Sequence, residues 1–208
     1  MNRPPSPRRG RLPADERSRR EADILDAALE LLVDDGTGQL TMLAVAKRAG
    51  ASKETLYSWF GDRSGLIRAL IERNGERAAT AVRAAMDDDG RDPRDVLIDH
   101  AARLLRLLTS PGSVALNRAA MDDPELAAAL LAGGRYRVGP IVEEYLARLD
   151  ETGRLPIPDP AAAYRLLYGL TVRDVQITVL LGDEPPSDRT IADEAALAVD
   201  RFFTLLGA

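Results

Sequence analysis

Residues 49–63 of this 208-residue chain read AGASKETLYSWFGDR. Ser52 and Thr55 supply hydroxyls, Lys53 and Arg63 supply cations, and Tyr57, Trp59 and Phe60 put three of the chain's nine aromatic rings within four positions. Hydroxyls, cations and partly apolar rings at close spacing suit a polyanion with flat, hydrogen-bonding edges. Lys53 can donate to guanine O6/N7 or to a phosphate, and Thr55 can bond a base or touch a thymine methyl. Glu54 can accept from cytosine N4, but phosphates nearby repel its carboxylate. Thr41, opening the preceding element, offers a hydroxyl beside free N–H groups that suit a phosphate. Arg63 and the Tyr57 hydroxyl are further phosphate candidates. Each residue also has a plainer reading. Thr41 and Ser52 can serve only as helix caps, Tyr57 can be core with its hydroxyl at the surface, and Lys53 and Arg63 can be solvated charges.

The elements that must position these residues are helical. Ala, Leu and Arg dominate, and no alternating run of β-branched residues marks a strand, so the fold class is all-α. A first helix starts near Asp15 and carries Ile24, Ala27, Ala28, Leu31 and Leu32 as one apolar stripe, ending at Asp34-Asp35-Gly36. Thr41 then N-caps a short helix, MLAVAKRAG, that closes at Gly50. Ser52 caps the next, in which Leu56 and Phe60 face inward, before Gly61 ends it. Two short helices across a glycine turn, after a longer amphipathic one, make a helix-turn-helix in a three-helix unit. Successive helical residues lie about 100° apart, so the three rings cannot all face that unit's core. A fourth helix, Ser64 to Met86, connects this head to the remainder of the chain.

Composition removes several classes of chemistry. With no cysteine and one histidine, disulfides, thiolate metal sites, a Cys nucleophile and paired-His sites are excluded. No apolar run is long enough to span a bilayer and the basic N-terminus lacks a signal-peptide core, so a soluble cytoplasmic protein without membrane contact is expected. The net charge of −5 hides an asymmetry: residues 1–80 hold 14 basic and 12 acidic groups, and the remainder is net −7. A basic head on an acidic body suits a nucleic-acid partner at one end. Residues 1–14, rich in Pro, Gly and Arg, read as a disordered basic arm, either a DNA contact or an inert tail. Beyond the DDDGRDP break at 87–93, helices are expected at about 93–109, 112–121, 124–132, 135–151, 160–181 and 188–206.

The run ILDAALELLVDDG, then Thr41, then VAKRAGASKETLYSWFGDRSGL resembles the DNA-binding head of the TetR family of transcriptional regulators. The likeness covers residues 20–70, and the body's helix layout resembles an AefR-like sensor domain more weakly. Departures are mild: Val45 for Ile, Ala51 for Val, Arg63 for Lys, Ser64 for Glu, which can still cap, and Trp59 where His or another aromatic is common. The resemblance implies a helix-turn-helix domain over 15–63, its connecting helix running to about 75, and a helical sensing and dimerisation domain over 76–208. It implies a recognition helix at about 53–60 in the major groove of double-stranded DNA. The DNA-contact set is then Thr41, Ser52, Lys53, Thr55, Tyr57, Trp59 and Arg63, with Trp59 flanking the backbone rather than filling the core. It implies a homodimer through the last two helices, 160–181 and 188–206, reading a palindromic operator. It also implies a small-molecule effector in the body, where His100, Asn117, Tyr168 and Arg173 are the candidate ligand residues; Arg173 can equally pair with a carboxylate at the dimer seam. No cofactor or metal is expected. No nucleophile motif, phosphate-cradling glycine loop or metal-ligand cluster supports an enzyme. The resulting expectation is a repressor that releases its operator on binding a small molecule; a dimeric DNA-binding regulator that senses nothing is the alternative.

Overall fold

The computed structural model describes residues 14–88 and 90–207, and among them eleven α-helices and no strand. The basic arm lies outside the described residues except for Ala14, the first residue of α1 (Ala14–Asp35). α2 (Met42–Arg48), α3 (Lys53–Phe60) and the long α4 (Arg63–Met86) complete the N-terminal half. The body comprises α5 (Pro93–Thr109), α6 (Pro111–Ala120), α7 (Pro124–Gly133), α8 (Arg135–Glu151), α9 (Pro160–Val172), α10 (Val175–Leu181) and α11 (Asp188–Leu206).

Local chemistry explains most helix starts. α5, α6, α7 and α9 each begin on a proline, which has no N–H to lose at that position. The residue before each proline, Asp92, Ser110, Asp123 or Asp159, accepts a first-turn backbone N–H with its side chain.

Two apolar cores result. The head core gathers Ile24, Leu25, Ala28, Leu31 and Leu32 of α1 with Leu40, Val45, Leu56, Leu66, Ile67 and Leu70, all buried. The body core is built on α5, α8, α9 and α11 around Leu97, Val142, Tyr145, Leu146 and Phe202. The head core also takes buried side chains from the body: Leu116 and Ala120 of α6 and Leu126 of α7. α4 and α7 approach closely enough that a Cβ on Gly75 would lie 2.3 Å from the Gly133 carbonyl oxygen, so only glycine fits there. Arg68–Glu125 at 2.8 Å and Arg137 with both Glu72 and Glu76 at 2.6 Å continue the seam along α4. These pairs are solvent-exposed and each adds little energy; the apolar and glycine contacts carry the junction.

The single helix expected over 160–181 is two. α9 stops at Val172, Arg173 takes φ +44°, and α10 restarts at Val175. No Gly or Pro marks the break. The two pieces share α5 but otherwise differ in neighbours: α9 lies mainly on α8 and α11, whereas α10 turns onto α6. Among the described residues no helix is long and apolar enough to cross a membrane, and no group of three or more His, Asp or Glu could hold a metal ion.

Candidate nucleic-acid interface

α2 and α3 meet across residues 49–52, where Gly50 adopts φ +58°, a left-handed conformation that costs other residues a steric clash. The Thr41 hydroxyl caps α2 by accepting the Ala44 N–H at 3.1 Å. The Ser52 hydroxyl caps α3, accepting the Thr55 N–H at 3.1 Å and lying 2.9 Å from the Thr55 hydroxyl. These three side chains are thus held in place by the start of their own helices.

Leu56 sets the rotation of α3. It is fully buried, and Phe60 is half-buried beside it. At about 100° per residue, Glu54 and Ser58 point away from the core; both are exposed. Two cation–aromatic pairs border this outward strip. On one flank the Lys53 ammonium lies 5.6 Å from the Tyr57 ring centroid, with Tyr57 47% exposed. On the other, the Arg17 guanidinium lies 5.2 Å from the Trp59 ring centroid.

One sequence-derived placement needs correction. Trp59 is not a free plate: it packs half-buried against the head core, edge-to-face with Phe60 at 6.4 Å, while Arg17 stands over its ring. The cause is its position about 60° from Leu56 around the helix, at the rim of the buried face. Arg63 is exposed, and it is braced from behind: its Nε donates to the Leu40 carbonyl at 2.9 Å and an Nη to the Thr37 carbonyl at 2.5 Å. It ties the α1–α2 loop to the start of α4. The cap of that helix is Asp62, accepting the Gly65 N–H at 2.8 Å, and not Ser64.

Sequence reading missed Arg17 and Arg20. Arg20 donates to the Gly50 carbonyl, bringing the start of α1 against the turn between α2 and α3. A run of arginines carries no signal for these contacts, which span 30 residues for Arg20 and 42 for Arg17.

The four candidate ligand residues are dispersed. His100 on α5 is 5% exposed, and burial, with Arg103 adding to it, pushes its pKa down to about 4. Asn117 donates to the Ser113 carbonyl at 2.8 Å within α6. Tyr168 lies under the Arg135 guanidinium at 4.2 Å, and exposed Arg173 pairs with Glu194 of α11. None of the four lines either of two surface clefts. One, about 440 Å³, runs between α4 and α8 past Glu76, Arg83 and Arg137. The other, about 470 Å³, lies between head and body against Leu32, Val33, Val114, Arg118 and Val179.

Residues 24–70 match the model for bacterial regulatory proteins of the tetR family, and residues 95–207 match that for the C-terminal domain of AefR-like transcriptional repressors. YdeS of Bacillus subtilis, an uncharacterised HTH-type transcriptional regulator, is 35% identical over 104 residues, 50% of this chain and 48% of YdeS. The chain therefore spans about half the length of that curated relative. A TetR transcriptional regulator from Agrobacterium tumefaciens is similar in structure along most of its length: TM-score 0.72, 34% identity, 89% of this chain and 93% of that one. The transcriptional regulator FadR from Bacillus subtilis, solved in complex with stearoyl-CoA, shares the fold at TM-score 0.70 and 15% identity, over 88% of this chain and 97% of that one.

Proposed function

Because the chain belongs to the TetR family of bacterial regulatory proteins, we propose that it is a cytoplasmic, homodimeric transcriptional repressor. It holds a palindromic operator through residues 41–60 and lets go when a small molecule binds its C-terminal half. The carrying observation is the outward strip of α3, which the buried Leu56 aims at solvent and the Lys53–Tyr57 pair borders. Lys53, Thr55 and Tyr57 are its proposed DNA contacts, with Thr41 and Ser52 at the helix starts and the exposed Arg63 facing phosphate. The proposed division is a head over 15–63, continuing into α4 to about residue 75, and a sensing and dimerising body over 76–208.

One short helix reads few base pairs, and a two-fold pair of heads reads a palindrome with half-sites about one turn apart. Leu166, Ile177, Leu197 and Leu205 on α9, α10 and α11 are exposed apolar side chains suited to that dimer seam. FadR, a regulator that holds stearoyl-CoA, supports the effector half of the reading. A tenfold release needs about 1.4 kcal/mol of coupling between effector and DNA. The dispersal of His100, Asn117, Tyr168 and Arg173 favours the second reading, a dimeric regulator without an effector, over any pocket built from those four.

The test uses labelled duplex from directly upstream of the protein's own gene. Lys53→Ala is expected to weaken binding about tenfold, or about 1.4 kcal/mol, and Tyr57→Phe to weaken it less. Affinity should fall steeply with salt, as phosphate contact requires. Unchanged binding by Lys53→Ala removes the proposed site, and salt-independent affinity removes DNA-backbone contact altogether. A compound library read by melting shift and DNA release decides between the sensing and non-sensing readings.

A further inference from the structure

The first turns of α1 are held by no apolar anchor. Residues 15–19 are exposed, residues 20–22 are half-buried, and the first buried side chain is Ile24. These turns nevertheless reach the recognition helix: Arg20 donates to the Gly50 carbonyl and Arg17 stands over Trp59. Among the described residues no carboxylate pairs with Arg17. A guanidinium held over an indole face is attracted by the ring's charge distribution and not by a hydrogen-bond acceptor, so its N–H donors remain for an anion.

α3 therefore has one cation on each flank of its outward strip. Lys53 with Tyr57 belongs to the helix itself. Arg17 with Trp59 comes from 42 residues earlier and lies outside residues 24–70, which carry the family match to the head. In a major groove the two flanks of an inserted helix face the two phosphate backbones. We propose that Arg17 is a phosphate contact, held on the Trp59 ring, that pairs with Lys53 to grip both backbones and makes the start of α1 part of the DNA interface. The proposal rests on the DNA-binding reading above. Trp59 then acts as the platform for that contact, and Arg20 as the tether that brings α1 to it.

The test measures the slope of log K against log salt for the full-length protein on two duplexes, the upstream DNA and one of random sequence. A phosphate contact adds about 0.9 to the magnitude of the slope, and a dimer carries two copies of Arg17. Arg17→Ala is expected to make the slope shallower by about 1.8 on both duplexes, with unchanged melting temperature. Arg17→Lys, which keeps the charge, restores most of it. Arg19→Ala is the control: it removes the same charge two residues on, about 200° around the helix, and leaves the slope unchanged. An Arg17→Ala slope equal to wild type overturns the proposal, as does an equal loss in Arg19→Ala, which reduces the effect to diffuse charge. If the wild type binds neither duplex, the DNA-binding reading fails instead, so the two failures are distinct.

Discussion

Leu56→Ala is expected to lower the stability of the head by about 2–5 kcal/mol, the range for truncating a fully buried leucine, and to abolish DNA binding. Leu56 is the one fully buried side chain of α3. Eight residues are too few for a helix to persist without tertiary support. α3 thus keeps its place because Leu56 fills the head core and the Ser52 cap fixes its start. Trp59 is the chain's one tryptophan and packs on that same core, so its emission reports unfolding of the head separately from far-UV helicity, which is dominated by the other helices. In urea, the tryptophan transition of Leu56→Ala should move well below that of wild type, while the bulk of the helical signal shifts less. Ser58→Ala, an exposed change two residues along, should stay within about 0.5 kcal/mol of wild type. A tryptophan midpoint for Leu56→Ala that matches wild type would show that α3 is anchored elsewhere.

The head was legible because its determinants are local. The α1 stripe, Thr41 and Ser52 as caps, Gly50 in the turn and Leu56 facing inward are all set by spacing within a few residues, and the structure reproduces each. What could not be read depends on distant packing. The hydrogen bonds that Arg63 donates to two loop carbonyls 23 and 26 residues earlier have no local signal in the sequence. The contact of Arg17 exists only once α1 and α3 are packed together. The break at Arg173 lets α10 turn from α5 onto α6 while α9 stays on α8 and α11, a long-range arrangement that composition does not record. Of the four ligand candidates only His100 is buried, and polar groups within apolar helical stretches do not reveal where helices converge. A cleft is a property of how helices meet, so its lining is invisible before they do.

The same dense packing shapes the junction between the two cores. The proposed boundary near residue 75 follows the chain, whereas the apolar contacts of the head extend to Leu116, Ala120 and Leu126. α6 also reaches the other way: Arg118 donates to the Leu180 carbonyl, at 2.9 Å from one Nη and 3.2 Å from Nε, at the end of α10. An effector that displaced α10 would therefore act on a helix already embedded in the head core. α6 and α7, more than the continuous α4 alone, supply contacts through which a change in the body can bias the head, provided those contacts differ between the two states.

His100 gives the second large effect, and it concerns stability against pH. Its imidazole is 5% exposed on α5, in the body core's main layer, and desolvation holds its pKa down to about 4, with the nearby Arg103 charge acting in the same direction. In the unfolded chain the ring titrates near its ordinary 6.5. Above pH 6.5 both states hold it neutral, and it costs nothing. Between 6.5 and 4 the unfolded chain binds a proton that the folded chain refuses, so stability is lost as pH falls through that window. Below 4 both states are protonated and the loss levels off. The full span corresponds to about 3 kcal/mol. Urea midpoints at pH 7, 5.5 and 4.5 should fall steeply for wild type. His100→Leu, of similar size and unable to titrate, should flatten the curve and leave only the part that carboxylates contribute. The deficit should also reverse on return to pH 7, since no bond is broken. Parallel curves for the two proteins would mean that His100 is solvated enough to titrate normally, and that its burial in α5 is not the constraint on this body at low pH.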